Sequence, residues 1–366
     1  MREPAASPGR WPETADRRLS MSDSSRRPRV VVITGASAGV GRATAQEFAA
    51  HGWCVGLVAR GRAGLEGARA DVERRGGTAL IVPADVADAE AVAQAAQTVM
   101  DRWGRIDLWI NAAMATVLAP VSDITPDEFR RVTEVTYLGQ VYGTQAALRH
   151  MHRQGRGTIV SIGSALAYRG IPLQAPYCAA KFATRGFLDA LRAELLHENS
   201  PVRLTEIHLP AVNTPQFDWA RNKMPYKAQP VPPIHHPEAI AHAIYRAALE
   251  APREVWLAGS AVQAILADAA APALVDKVLA RQAYSGQQTE EPDDDRPDNL
   301  FEPMDDQVDY GASGRFGEAA RTYVSAYRPA RLRAGAAAIA CLVTYGVVRT
   351  LFDLKEKDRN TRSSPW

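Results

Sequence analysis

Cysteine is scarce in this chain, net charge is nearly absent, and no uninterrupted apolar run long enough to suggest a bilayer span occurs before position 334. Each absence excludes something. Cys54, Cys178 and Cys341 lie far apart, show no metal-ligand spacing and leave one thiol over if any two pair. A disulfide framework is therefore excluded, and a reducing cytoplasm is the expected home. The formal net charge is +2 with the signs mixed along the chain, which gives no broad basic field and argues against a nucleic-acid partner. Residues 1–28 are rich in Arg, Ser and Pro and lack the apolar run of a secretory signal. They read as a disordered leader, with Met21 as an alternative start. His235 and His236 are adjacent but have no third ligand at matching spacing, so no metal site is expected.

What is present is alternation. From Arg29 onward short apolar runs at 30–34, 53–59, 78–82, 106–110, 157–162, 202–209 and 254–258 are separated by longer amphipathic stretches of helical period. Strands apolar enough to be covered on both faces predict an α/β fold, a Rossmann-like doubly wound parallel sheet with helices on both faces, over residues 29–283. Ligands in that architecture bind at the carboxyl ends of the strands. Six prolines interrupt residues 210–236, which predicts a lid or substrate loop. Helices are expected over 237–250 and 260–281. Residues 284–333 form an acidic, Pro- and Gly-rich extension expected to wrap the surface or stay disordered. Residues 334–352 read as an apolar helix flanked by arginines, either a marginal membrane anchor or a helix docked in a dimer interface, and 353–366 as a polar tail.

Two motifs carry chemistry. Thr34–Gly41 reads TGASAGVG directly after a strand and at the start of a helix, where glycines permit a tight turn and close backbone approach to a pyrophosphate. About a hundred and forty residues on, Tyr177 and Lys181 stand four apart, so that one helix stacks a phenol beside an ammonium. Ser164 lies thirteen residues before Tyr177, at the end of a strand.

The spacing of Gly35, Gly39 and Gly41, together with Ser164, Tyr177 and Lys181, resembles the short-chain dehydrogenase/reductase family over about residues 29–260. The resemblance implies an NAD(P)-dependent oxidoreductase interconverting a carbonyl and an alcohol, its small-molecule substrate more hydrophobic than sugar-like. It implies Tyr177 as general acid/base, Lys181 as the charge that lowers its pKa and holds the nicotinamide ribose, and Ser164 as the group orienting the substrate oxygen. A free phenol has a pKa of about 10, so proton exchange near neutrality needs such a charge.

The turn residues Gly35, Ser37, Gly39, Val40 and Gly41 are assigned to the cofactor. At the end of the second strand, where an acid would bind the ribose hydroxyls of NAD, the chain has Ala59 and then Arg60. That predicts a preference for NADP(H) over NAD(H), Arg60 pairing with the 2′-phosphate. The family pattern further assigns Asp85 and Val86 to the adenine, Asn111 to the strand end beside the cofactor, and Thr214 to the carboxamide of the nicotinamide. Thr136 stands where the family has a catalytic Asn, and its hydroxyl is expected to take over the water of the proton relay. Tyr168, Phe217, Trp219 and Tyr226 are candidate pocket residues. The family pairs long helices across subunits, here 126–152 and 176–198, so a homodimer or homotetramer is expected. The alternative is a nucleotide-binding regulator or scaffold with weakened catalysis, prompted by Thr136 and the acidic extension. An epimerase or dehydratase is disfavoured by the form of the glycine turn.

Overall fold

The computed structural model describes residues 28–293 and 296–330. The chain divides into a unit ending at Ala326 and a second beginning at Tyr327. In the first unit seven strands, β1 (Val30–Thr34), β2 (Cys54–Ala59), β3 (Thr78–Pro83), β4 (Leu108–Asn111), β5 (Gly157–Ser164), β6 (Val202–Leu209) and β7 (Glu254–Leu257), lie parallel in the order 3-2-1-4-5-6-7. Their positions agree with the apolar runs of the sequence. The reversal of direction between β1 and β4 opens a crevice at the strand carboxyl ends.

The alternation of side chains explains why the strands read as unbroken apolar runs. In β1, Val31 and Ile33 enter one core with Phe48 of α1 (Gly39–Ala50), Leu65 of α2 (Arg62–Arg74) and Ile244 of α8 (Pro237–Glu250). Val30 and Val32 enter the other, with Val99 of α3 (Ala89–Trp103), Met151 of α5 (Gly139–Gln154) and Leu188 of α6 (Ala175–His197). Between α3 and α5, α4 (Pro126–Thr133) begins in a capping box formed by Thr125 and Glu128 and runs into α5 through one π-helical turn, Glu134–Leu138.

One stretch differs from expectation. The helix predicted over 260–281 is two, α9 (Gly259–Ala270) and α10 (Pro272–Gly286). Pro272 supplies no N–H and forces Ala271 out of the helical region, to φ −149° and ψ 64°. The proline-rich segment 210–236 contains a single helical turn, α7 (Gln216–Trp219), and is pinned by short strand pairs. Arg221–Asn222 pairs with Val117–Leu118, Tyr226–Ala228 with Gln288–Pro292, and Ile234–His235 with both Ala211–Val212 and Ala320–Arg321.

The extension beyond α10 therefore returns over the body of the fold. Among the described residues no helix is long and apolar enough to cross a membrane. The apolar segment 334–352 lies outside them.

Candidate active site

Ser164 closes β5, and its Oγ accepts the N–H of Leu166 at 3.1 Å. Its own proton remains available to the neighbouring Tyr177 phenol. Pro176 lies in the first turn of α6, which sets Tyr177 and Lys181 one turn apart on the same face. Lys181 is only 2 % exposed; its Nζ lies 5.5 Å from the centre of the Tyr177 ring and donates to the Ile162 carbonyl at 2.7 Å. Strand β5 and helix α6 thus bring the three residues together.

Burial pushes the Tyr177 phenol well above its ordinary value, with the Ser164 hydrogen bond opposing it. The same burial pushes Lys181 down to about 8, against the charge of Glu206. Burial thus favours the protonated form of the Tyr177 phenol.

Thr136 lies on the π-helical turn and is fully buried. Its hydroxyl donates to the Ala115 carbonyl and accepts the Ala115 N–H, both at 2.9 Å. Its single proton is committed to the backbone. The Asn111 side chain is likewise spent inside the fold, accepting from Trp109 Nε1 at 2.8 Å and donating to Thr144 at 3.1 Å.

The glycine turn fits a dinucleotide. Gly35 and Gly39 have positive φ, and a Cβ on Gly41 would collide with the Gly35 carbonyl oxygen. Gly39 and Val40 open α1, and Thr214 lies against Gly39, within 3.3 Å of where a Cβ would be. Thr34 holds the neighbouring strand end: its Oγ1 accepts the N–H groups of Ala112 and Ala113 at 3.1 and 3.3 Å. Val86 is buried, and Asp85 pairs with Arg131 at 2.5 Å.

Arg42 pairs with Asp71 at 2.7 Å and with Asp309 of the extension. Arg60 donates from both Nη atoms to backbone carbonyls, those of Phe301 at 2.7 Å and Asn299 at 2.5 Å. Ser37 is buried beneath the same segment, beside Gly64 and Asp305.

The aromatic candidates divide. Phe217 belongs to an apolar cluster with Leu118, Leu173, Ala228, Met224 and Phe316. Trp219 stacks edge-on with Tyr310 at 4.8 Å. Tyr226 is exposed on a short strand. Tyr168 belongs to a buried ionic cluster, donating to Glu254, which in turn stands 3.1 Å from His208. His235 hydrogen-bonds the Tyr323 carbonyl at 2.9 Å. Among the described residues no group of three His, Cys, Asp or Glu side chains is placed to hold a metal.

Sequence reasoning missed the contribution of Arg131 and of residues 299–316. The available signal was Leu300-Phe301 and Phe316, apolar residues inside an otherwise acidic, solvated-looking stretch.

Comparison with known proteins converges on one family. A sequence model described as short chain dehydrogenase matches residues 29–224. An uncharacterised oxidoreductase of Bacillus subtilis is 33% identical over 277 residues, covering 75% of this chain and 77% of the relative. A fatty acyl-CoA reductase of Acinetobacter baylyi is 32% identical over 62% of this chain and 75% of its own. Among solved structures, an alcohol dehydrogenase from the archaeon Thermococcus sibiricus, complexed with 5-hydroxy-NADP, superposes with a TM-score of 0.54. It is 28% identical and covers 63% of this chain and 96% of that one.

Proposed function

The chain belongs to the short-chain dehydrogenase family and is an NAD(P)-dependent oxidoreductase, and from that premise we propose that it reduces a hydrophobic ketone or aldehyde to the alcohol, Tyr177 donating the proton. The observation that carries this reading is the meeting of buried Ser164 and Lys181 with the half-buried Tyr177, whose phenol desolvation favours in its acid form. Ser164 orients the substrate oxygen, Tyr177 delivers a proton to it, and Lys181 stabilises the phenolate left behind. The bound nicotinamide supplies the hydride. The likeness to a fatty acyl-CoA reductase favours a substrate with a hydrocarbon body. Hydrophobic ketones should be reduced faster than polyhydroxylated ones when oxidation of NADPH is followed optically. Equal rates across both sets would remove the hydrophobic assignment.

The cofactor preference proposed is NADP(H), with Arg60 and Ser37 at the 2′-phosphate. A charge-assisted pair of this kind contributes about 1.5–3 kcal/mol, or about 10- to 100-fold in affinity. Arg60→Asp should therefore lower the ratio of NADPH to NADH affinity by at least about tenfold. Arg60 also holds the extension, but any loosening there changes both affinities alike and cancels in the ratio. An unaltered ratio takes Arg60 out of the site.

A homodimer through α5 and α6 is proposed as well. Phe182 and Leu196 of α6 are exposed in the single chain, and light scattering that finds an active monomer would contradict it. The tied hydroxyl of Thr136 favours one other reading, a nucleotide-binding protein with weakened catalysis. Cofactor binding without turnover of any carbonyl would support that reading instead.

A further inference from the structure

The carboxyl ends of the strands carry the crevice of this fold, and a segment of the chain itself lies across it. Ser37, Gly39, Val86 and Thr214 are all buried.

Residues 296–316 supply the cover, and they do so at four stations. At the first, Leu300 is 0 % exposed and belongs to the same buried cluster as Val58 and Val86. Its carbonyl accepts from Arg131 Nε at 2.9 Å, while Arg60 takes the carbonyls on either side of it. Both arginines flank the position assigned to the adenine and its ribose. At the second, Asp305 is 6 % exposed and packs where side chains on Gly61 and Gly64 would have to go. The Asp305 and Asp306 carbonyls accept the N–H groups of Gly64 and Ala63 at 2.9 and 3.2 Å, and Asp306 Oδ1 accepts that of Arg62 at 3.1 Å. The N-terminus of α2 is thereby capped by acidic residues from about two hundred and forty positions away.

At the third station the Gly311 carbonyl accepts the Gly39 N–H at 3.2 Å, at the N-terminus of α1, and Asp309 pairs with Arg42. At the fourth, the N–H groups of Gly314 and Phe316 donate to the Asn213 carbonyl and Oδ1 at 3.3 and 2.9 Å, beside Thr214. Adenine end, ribose, pyrophosphate turn and nicotinamide end are met in chain order. Carboxylates and carbonyls face the arginines and helix N-termini that suit a cofactor's phosphates.

We propose that residues 296–316 are an internal stand-in for the dinucleotide, an autoinhibitory strap that occupies the cofactor crevice and has to leave it before NADP(H) can bind. The proposal rests on the cofactor reading above and adds an order of events to it. The observed cofactor affinity is then the intrinsic affinity multiplied by the fraction of molecules with the strap out. Weakening the strap raises that fraction without touching a cofactor contact.

The test is calorimetric titration of the full chain with NADPH, wild type against Leu300→Asp, which places a charge in the pocket that anchors the first station. Tighter binding by the variant, by about tenfold or more, is expected. Amide hydrogen exchange of the wild-type chain supplies a readout that needs no substitution. Saturating NADPH should speed exchange at Gly314 and Phe316, whose partners on Asn213 are lost when the strap leaves. Equal or weaker binding by a folded Leu300→Asp chain, or slower exchange at those amides with NADPH, overturns the strap and makes the segment a wall of the pocket, with the cofactor reading intact. Failure of both folded chains to bind NADPH or NADH would remove the cofactor reading and the strap together.

Discussion

Tyr177→Phe is expected to lower kcat for carbonyl reduction by about 100- to 10,000-fold, the usual contribution of a positioned proton donor, with NADPH affinity nearly unchanged. Only the hydroxyl is removed. The ring stays packed against the core on the α5–α6 side of the sheet and beside the Lys181 ammonium. The reaction keeps its hydride source and its substrate contacts but has no acid for the developing alkoxide. The wild-type pH profile gives a second check. Burial holds Tyr177 protonated well past neutrality, so reduction should not fall for want of a proton near pH 7. Lys181, pushed down to about 8 by burial, loses its charge first. As it does, the phenolate that remains after proton donation is no longer stabilised, and kcat should decline as pH rises through about 8. Unchanged turnover in Tyr177→Phe, measured by steady-state kinetics, would end the assignment of Tyr177 as the acid.

The sheet and the meeting of Ser164, Tyr177 and Lys181 were legible because each is written locally. The seven strands are short β-rich runs between helical stretches, and the spacing of Ser164, Tyr177 and Lys181 fixes their meeting once a strand and a helix are granted. Contacts over long sequence distances were not legible. Arg60 follows a strand and reads as a free guanidinium, yet its donors are taken by carbonyls some two hundred and forty residues later. Asp305, Asp306 and Asp309 read as solvated charges because composition registers their number and not the helix N-termini and Arg42 that receive them. Tyr168 was a reasonable pocket aromatic by position, but nothing periodic announces that its hydroxyl goes to Glu254 on β7. Thr136 and Asn111 are polar residues near a predicted site, and in both cases the polarity serves the backbone or a neighbouring helix.

His208→Ala should destabilise the fold by about 3–5 kcal/mol, the cost of removing one partner from a buried ion pair. His208 is fully buried on β6, its Nε2 3.1 Å from Glu254 and 3.6 Å from Glu206, and its Nδ1 3.0 Å from the Ser164 carbonyl. Burial by itself would push the imidazole down, but the two carboxylates outweigh it and raise the value to about 9. Burial likewise works against ionised Glu254, and His208 with Tyr168 overcomes it to bring that carboxyl down to about 2. The signs fix the pH dependence. A raised imidazole contributes stability that is whole below its unfolded value of 6.5 and is lost as pH rises through about 9. A depressed carboxylate contributes stability that is whole above 4.5 and is lost as pH falls through about 2. Both contributions are complete only between those unfolded values, so urea unfolding of the wild type should show a plateau there and a decline on either side. In His208→Ala the alkaline decline due to the imidazole vanishes, and the acid one shrinks because Glu254 has lost its cation. The same imidazole steadies the Ser164 carbonyl, so kcat should fall in the variant even at temperatures where it remains folded. A variant as stable as wild type at about pH 5.5, inside that plateau, would show that His208 is neutral in its pocket and that the cluster beneath Ser164 is held by Tyr168 and Trp256 alone.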